Sequence, residues 1–214
     1  MSELYNPGMM PYITGLLPAR HPILIEMEER AEKDGFPIVG AASGQFCYMI
    51  AKMIGARSVF ELGSGYGYST AWFARAVREN GGGKVHHVVW HEDLSKDAQS
   101  YLDRLGYGDM VEYHFGEAVA YLKDQTGTFD LIFNDIDKEG YPGSIPLIKE
   151  RLNPGGVLIV DNILWSGRVF DSEDQSDATV AIRKTAQIVF DDPEFAASIV
   201  PLRDGLLVAR YQPK

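Results

Sequence analysis

The sequence predicts an α/β fold, in which a doubly wound and mostly parallel sheet ends in an antiparallel strand and follows a helical N-terminal extension. Three observations support this prediction. Short apolar runs alternate with segments of helical spacing, a pattern typical of parallel sheets covered by helices on both faces. A helical apolar stripe precedes the first run, and an Asp-Gly pair separates the last two runs.

The N-terminal extension is predicted to be helical up to the first strand. Apolar residues recur there at helical spacing, and Gly55 follows them as a residue that can end a helix. We therefore expect a single domain, with a helical region over residues 1–56 and an α/β core over residues 57–214. The apolar stripe consists of Phe46, Met49, Ile50 and Met53.

The core is predicted to alternate strands with helices. The Asp204-Gly205 pair is typical of a hairpin, so we expect the sheet to finish with an antiparallel pair. The candidate strands are residues 58–62, 84–90, 110–115, 129–133, 157–160, 198–202 and 206–210. The helical positions between them include Leu94, Ala98, Tyr101, Leu102 and Leu105, and later Ile145, Ile148 and Leu152.

Composition and charge restrict the classes of function. The chain has 214 residues, of which 45% are hydrophobic and 23% charged, a composition typical of folded proteins. Its net charge of −10 argues against nucleic-acid or anionic-membrane partners, because both require clustered positive charge. No apolar run reaches the roughly 18 residues of a membrane span, and no signal-peptide pattern is present, so we expect a cytoplasmic protein. The single cysteine, Cys47, is expected to be buried and excludes an intrachain disulfide framework.

A glycine-rich turn, E-L-G-S-G-Y-G-Y-S-T, follows the first strand and precedes a helical segment at residues 61–70. Gly63 and Gly65 allow backbone amides to approach a ligand, and Ser69 is predicted to cap the helix that follows. Glycines at a strand-to-helix turn also occur where no ligand binds. The glycines alone therefore leave both interpretations open.

The spacing of the glycines separates two cofactor classes. A dinucleotide site has two residues between its second and third glycines, whereas a single residue separates Gly65 from Gly67. The carboxylate of Glu61 would repel a pyrophosphate, but it suits a cationic amino group. The turn therefore favours S-adenosylmethionine over NAD.

Oxygen-bearing side chains follow two later strands. Asp135 ends one strand and Asp161-Asn162 end another, and parallel strands open at the same edge of a sheet. Two carboxylates and an amide oxygen suit a hard cation such as Mg²⁺, although an aspartate at a strand end can also cap a turn. Lys138 would lie beside this cation, which would lower its pKa and make it a candidate base. A solvated surface lysine is the alternative.

Together, these segments resemble the cation-dependent O-methyltransferases, the family that includes catechol O-methyltransferase and the caffeoyl-CoA O-methyltransferases. The matching segments are the glycine-rich turn, N-D-I-D-K-E-G-Y at 134–141 and N-P-G-G-V-L-I-V-D-N-I-L-W-S-G at 153–167. The resemblance extends from about Gly44 to Leu206. It implies a Rossmann-like class I methyltransferase fold, S-adenosylmethionine and a divalent cation such as Mg²⁺ as cofactors, a small vicinal-diol aromatic acceptor, and a homodimer.

The resemblance also implies a role for each matching residue. Lys138 would be the general base, and the ionised acceptor hydroxyl would attack the sulfonium methyl group. Asp135, Asp161 and Asn162 would hold the cation. The residues expected at the cofactor are Glu61, Gly63, Ser64, Gly65, Tyr66, Ser69, Glu92, Gly116, Glu117, Ala118 and Asp135.

The end of the second strand departs from the family pattern. Members usually end this strand in an acidic residue that holds the cofactor ribose, but Val89 or His91 stands there in this chain. Glu92 or Asp93 is the expected substitute. The departure leaves open a non-catalytic protein that binds S-adenosylmethionine. A methyltransferase with a non-catechol acceptor and a nicotinamide-dependent oxidoreductase are the further alternatives.

Two segments are expected from the resemblance to shape the acceptor pocket. They are residues 9–12, Met-Met-Pro-Tyr, and the loop at residues 165–177. Their aromatic content suits a flat aromatic acceptor, although such residues also occur in cores and dimer interfaces. Arg168, in the second segment, is the expected partner of a local anionic group.

Overall fold

The computed structural model describes residues 6–214, which form a seven-stranded sheet with helices on both faces. The strands are β1 (Ser58–Leu62), β2 (Lys84–Val89), β3 (Val111–Phe115), β4 (Phe129–Asn134), β5 (Leu152–Val160), β6 (Phe195–Val200) and β7 (Leu206–Tyr211). Their order in the sheet is β3-β2-β1-β4-β5-β7-β6. Strands β1 to β5 are parallel, and β7 runs antiparallel to both β5 and β6. The predicted fold class and its C-terminal hairpin are confirmed.

Helices precede the sheet and alternate with its strands, as the sequence predicts. Helices α1 (Met9–Gly15), α2 (Pro22–Asp34) and α3 (Gly40–Met53) come before β1. The later helices are α4 (Tyr68–Glu79), α5 (Glu92–Arg104), α6 (Ala118–Asp124), α7 (Tyr141–Glu150) and α8 (Asp177–Asp191). None of the helices in the described part of the chain is long and apolar enough to cross a membrane.

Hydrophobic layers cover both faces of the sheet, because successive residues of a buried strand point to opposite sides. Val59 and Phe133 pack with α3 and α4 on one face, whereas Phe60 and Ile132 pack with α6, α7 and α8 on the other. Cys47 is buried in the first layer, and burial raises the pKa of its thiol. The thiol is therefore a packing group, as predicted.

The apolar stripe predicts helix α3 correctly, but the buried face of this helix consists largely of small residues. Gly44 lies so close to α4 that a Cβ atom would overlap the indole of Trp72. Met49 and Met53 remain exposed instead. The small residues allow α3 to approach α4 closely, Phe46 and Ile50 pack partly buried against the core, and the two methionines face outward.

Two strands differ from their predicted bounds by more than one residue. Strand β5 begins at Leu152 and not at residue 157, because Leu152 pairs with Phe129 and an irregular register accommodates the Pro-Gly-Gly segment that follows. Leu152 therefore belongs to a strand and not to helix α7. Strand β6 spans Phe195–Val200 instead of 198–202, because its pairing with β7 starts at Tyr211.

Candidate active site

A cavity of about 580 Å³ opens at the carboxyl ends of the parallel strands. It lies where the strand order reverses, since β1 is flanked by β2 on one side and by β4 on the other. The glycine-rich turn after β1 and the ends of β2, β4 and β5 contribute to its wall. The predicted site residues in this wall are Gly63, Gly65, Gly116, Ala118, Asp135, Lys138, Asp161 and Asn162.

The glycine-rich turn brings the end of β1 against the end of β4. Gly63 has a φ of 87°, and a Cβ atom there would overlap the carbonyl oxygen of Asp135. The Asp135 amide donates a hydrogen bond of 2.8 Å to the Leu62 carbonyl at the same contact. Glycine is therefore required at position 63 both for its backbone conformation and for the close approach of the two strand ends.

The prediction that Ser69 caps the following helix is wrong. The N-cap of α4 is Gly67, with a φ of 89°, and no side chain caps the first turn. A Cβ atom at Gly67 would crowd Ala98, so the chain enters the helix through a conformation that favours glycine. Ser69 instead lies inside α4, where its hydroxyl is near the Glu61 carboxylate.

Glu61 is a fully buried carboxylate beneath the glycine-rich turn. Neither of its oxygens has a hydrogen-bond partner in the part of the chain that the structure describes. Burial raises the pKa of Glu61 to about 7, and the nearby hydroxyls of Ser69 and Thr70 offset only part of this shift. Buried polar atoms without partners are rare, so this carboxylate is suited to a cationic ligand group.

The two predicted aspartates converge at the cavity. Asp135 follows β4 and Asp161 follows β5, and the Asp161 amide donates to the Asn134 carbonyl at 3.1 Å. Burial raises the pKa of both carboxyls, and the charge of Asp135 raises that of Asp161 further. Two neighbouring carboxylates in a poorly solvated site favour a bound cation.

Asn162 continues this cluster with a backbone φ of 56°, a conformation that asparagine tolerates better than most residues. Its backbone amide donates to Asp161 Oδ1 at 2.8 Å, and its side-chain nitrogen donates to Asp204 Oδ2 at 3.2 Å. With the amide nitrogen engaged, the side-chain carbonyl oxygen remains as the acceptor that can bind a cation.

Lys138 is mostly buried and has three oxygen partners. Its Nζ atom donates to Asp135 Oδ1 at 2.7 Å, to the Tyr141 hydroxyl at 2.8 Å and to the Ile136 carbonyl at 3.3 Å. The Tyr141 hydroxyl also lies 3.2 Å from the carbonyl oxygen of Asp161. Tyr141 therefore links the lysine to both aspartates, and the alternative of a solvated surface lysine is wrong.

The family assignment follows from the whole-chain comparison. The sequence model of the O-methyltransferase family matches residues 18–212, which include every strand and the entire cavity wall described above. The chain belongs to the O-methyltransferase family. The predicted resemblance is confirmed, and the protein is a methyltransferase.

Relatives and solved structures agree with this assignment. A catechol O-methyltransferase of Mycobacterium tuberculosis is 34% identical over 163 residues, 76% of this chain and 73% of the relative. A caffeoyl-CoA O-methyltransferase of Medicago sativa is 27% identical over 228 residues, 98% of this chain and 90% of the relative. The O-methyltransferase TomG of Streptomyces achromogenes, solved in complex with SAM, has a TM-score of 0.87 and 25% identity over 100% of both chains.

Several predicted cofactor residues of the methyltransferase lie behind the cavity wall. Ser64, Tyr66 and Ser69 line a smaller cavity of about 30 Å³ that shares Gly63 and Gly65 with the larger one. The Ser64 hydroxyl accepts from the Val88 amide at 3.0 Å, and the Tyr66 hydroxyl donates to the Met27 carbonyl at 2.9 Å. These side chains hold the glycine-rich turn in place.

The structure places two predicted glutamates outside both cavity walls of the enzyme. Glu92 starts helix α5 and pairs with Lys96 at 3.1 Å, facing solvent. Glu117 caps α6, accepting from the amides of Val119 and Ala120 at 3.0 and 2.5 Å. Their carboxylates are engaged in local helix interactions. At the end of β2 the wall is formed by Val88, Val89, Trp90 and His91.

The structure brings part of the predicted acceptor pocket to the cavity and adds one residue that sequence reasoning missed, Arg203. Trp165 lines the cavity, as the predicted loop suggests, but Met9–Tyr12 does not. Arg168 pairs with Asp174 at 2.7 Å, whereas the guanidinium of Arg203 lies in the cavity wall with no hydrogen-bond or ion-pair partner among residues 6–214. The one sequence feature that could have pointed to Arg203 is its position next to the Asp-Gly pair of the hairpin.

Proposed function

We propose that this enzyme transfers the methyl group of S-adenosylmethionine to one hydroxyl of a small catechol-type aromatic, with a divalent cation such as Mg²⁺. The observation that supports this proposal is the convergence of Asp135, Asp161, Asn162 and Lys138 on one cavity next to the glycine-rich turn. The three oxygen donors suit a hard cation, and the lysine supplies a base beside it.

The cofactor side of the proposal is supported by the buried carboxylate of Glu61. The α-ammonium group of S-adenosylmethionine would satisfy its unpartnered oxygens. Gly63 and Gly65 line the cavity, so their backbone can approach the methionine portion closely. TomG, which shares the fold over its full length, was solved with SAM bound. These features favour S-adenosylmethionine over a nicotinamide cofactor.

The chemistry at the acceptor is divided between a cation and this chain's own residues. Asp135, Asp161 and Asn162 would hold the cation, whose Lewis acidity favours ionisation of a chelated hydroxyl. Lys138 Nζ would take up the hydroxyl proton, and its contacts with Asp135 and Tyr141 fix its position. The enzyme then aligns the oxygen with the methyl carbon, so that catalysis depends mainly on orientation.

The acceptor pocket favours a flat ring with an anionic substituent. Trp165 provides an aromatic wall, and Arg203 lies in the cavity wall, where its charge offsets a small part of the rise in the pKa of Asp135 and Asp161. Arg203 is also held at a φ of 54°, a conformation that is strained for arginine. A carboxylate on the acceptor would give this guanidinium the partner that it lacks.

We also propose that the enzyme is a homodimer, with α1 and α3 at the interface. These neighbouring helices expose Tyr12, Leu16, Met49 and Met53, which are large apolar side chains. Sedimentation analysis should give a dimer, and Met53→Glu should shift it toward monomer. A wild-type monomer at micromolar concentration would contradict this proposal.

Methyl transfer to matched diols tests the proposed activity. Labelled S-adenosylmethionine is offered with catechol, 3,4-dihydroxybenzoate and 3,5-dihydroxybenzoate in the presence of Mg²⁺. Transfer is expected to the two 1,2-diols only, because the 1,3-diol cannot chelate one cation. Arg203→Gln should raise KM for 3,4-dihydroxybenzoate about tenfold and leave catechol unaffected. Equal transfer to the 1,3-diol would contradict chelation.

A non-catalytic protein that binds S-adenosylmethionine is the second candidate. The observation that favours it is the end of β2, where Val89, Trp90 and His91 line the cavity and no carboxylate is available for the ribose. Calorimetry with S-adenosylhomocysteine distinguishes the two candidates. Tight binding without transfer to any diol would support the non-catalytic function.

A further inference from the structure

A second group of potential metal ligands lies near the edge of the sheet formed by β3, which is the edge opposite the C-terminal hairpin. His86 on β2 is in register with Glu112 on the edge strand β3, and His114 follows two residues later on the same face. One ligand atom from each of the three side chains lies within 4.8 Å of the other two. None of these residues lines the active-site cavity.

The imidazoles in this group have nitrogen atoms that the described residues leave unsatisfied. His86 Nδ1 and His114 Nε2 are buried without a hydrogen-bond partner. The approach of His86 Nδ1 to Glu112 Oε2 is 3.6 Å, which is too long for a hydrogen bond. Two buried, unpartnered nitrogens beside one carboxylate indicate a missing electrophilic group.

Aromatic packing holds both rings in fixed orientations. The His86 ring stacks on Phe60 at 5.5 Å and on His114 at 5.6 Å between ring centroids, and Phe129 meets its edge at 5.3 Å. Tyr121 of α6 packs against His114 at 5.1 Å. The Glu112 side chain is 44% exposed, so it is the ligand that can adjust.

Two imidazole nitrogens and one carboxylate form the ligand set of an open Zn²⁺ site, whereas Mg²⁺ prefers oxygen ligands. Ligand atoms around tetrahedral Zn²⁺ are about 3.3 Å apart, so on metal binding the exposed Glu112 carboxylate would rotate inward and the two imidazoles would shift slightly toward each other. We propose that His86, Glu112 and His114 bind a Zn²⁺-class transition-metal ion that joins β2 to the edge strand. This site is independent of the active-site cation.

Metal titration of untagged, chelator-treated protein tests this site. Zn²⁺ binding is followed by calorimetry and Co²⁺ binding by visible absorption, in an Asp161→Asn background that weakens the active-site cluster. We expect one Zn²⁺ per chain, a tetrahedral Co²⁺ spectrum and a raised unfolding temperature with Zn²⁺. Adding His114→Gln or Glu112→Gln should weaken Zn²⁺ binding about a hundredfold or more, whereas adding Glu150→Gln, at an exposed helix position, should leave it unchanged.

Two results would overturn the proposal. One is the absence of Zn²⁺ binding at micromolar concentrations in the Asp161→Asn protein. The other is unchanged Zn²⁺ affinity in both the His114→Gln and Glu112→Gln variants. Retained S-adenosylhomocysteine binding and an unchanged circular dichroism spectrum establish that a variant is folded. If His114→Gln fails to fold, Glu112→Gln alone provides the test.

Discussion

At the scale of single residues, Lys138 is the group on whose chemistry the proposed reaction depends most. It contacts Asp135 and Tyr141 and is held away from bulk solvent. Lys138→Gln should lower kcat about 100-fold or more, because the acceptor hydroxyl loses its base, while S-adenosylhomocysteine affinity should stay nearly unchanged. Lys96→Gln, at an exposed position on α5, is the matched control in both assays. Wild-type turnover by Lys138→Gln would eliminate the assigned role.

Glu61 should make cofactor binding depend on pH near neutrality. Its pKa of about 7 means that the carboxyl group becomes protonated as the pH falls below 7. The α-ammonium group that S-adenosylhomocysteine shares with the cofactor prefers the ionised carboxylate, so S-adenosylhomocysteine affinity should fall about fivefold between pH 7 and pH 6. Glu61→Gln should bind more weakly and lose this pH dependence, as measured by calorimetry.

The same pKa shift predicts the sign of a stability effect. Because the folded-state pKa lies above the ordinary value of 4.5, the folded protein retains a proton that the unfolded chain releases as pH rises from 4.5 to 7. The penalty for burying Glu61 is therefore complete above pH 7. Denaturant titrations should find Glu61→Gln stabilised relative to wild type at pH 8 by about 1–3 kcal/mol, with little difference at pH 4. An equal difference at both pH values would contradict this assignment.

Single site residues were predictable where a short local pattern specifies them. Asp135 and Asp161 directly follow strands whose apolar runs are evident in the sequence, and Lys138 comes three residues after Asp135. Arg203 enters the cavity from a loop with a positive φ of 54°, which local spacing does not reveal, whereas Trp165 was expected there from the family resemblance. The cofactor contact expected of Glu117 stays a prediction, because its carboxylate caps α6 in the structure.

At the scale of elements, the β1–α4 turn is the structure on which both halves of the site depend. Gly63→Ala should destabilise the fold and weaken cofactor binding, because the added Cβ atom meets the Asp135 carbonyl. Gly81→Ala is the matched control, since Gly81 has a φ of 98° with open space around its Cβ position. The control should lose only about 1–2 kcal/mol through backbone strain.

Chemical denaturation and calorimetry with S-adenosylhomocysteine check this pair. Gly63→Ala should be less stable than Gly81→Ala and should bind the cofactor analogue more weakly. Equal stability of the two variants, with equal affinity for the analogue, would indicate that the contact between the ends of β1 and β4 is unimportant.

Element positions were largely predictable because the strands are buried on both faces and read as short apolar runs. The errors at β5 and β6 have a common cause, namely pairing that extends beyond the apolar run. Leu152 pairs with Phe129, and Phe195 pairs with Tyr211, although polar or small residues separate each from the predicted strand. The ends of these strands are therefore set by pairing with residues that are distant in the sequence.

At the scale of the whole molecule, parallel topology creates the active site. Strands β1, β4 and β5 are adjacent and parallel, so their following residues meet at one edge although they are distant in sequence. Glu61 and the glycines serve the proposed cofactor there, and the two aspartates serve the proposed cation. The sequence pattern predicts this convergence, but the cavity's acceptor side depends on loop conformations.

Cation dependence of methyl transfer tests the central claim most directly. Transfer from labelled S-adenosylmethionine to catechol is measured with Mg²⁺, after EDTA treatment and after Mg²⁺ is restored, for wild type and Asp161→Asn. EDTA should lower the wild-type rate more than about 100-fold, because Lewis-acid stabilisation supplies several kcal/mol. Mg²⁺ should restore the wild type but not the variant. Transfer that persists in EDTA, or full activity of Asp161→Asn, would contradict the account.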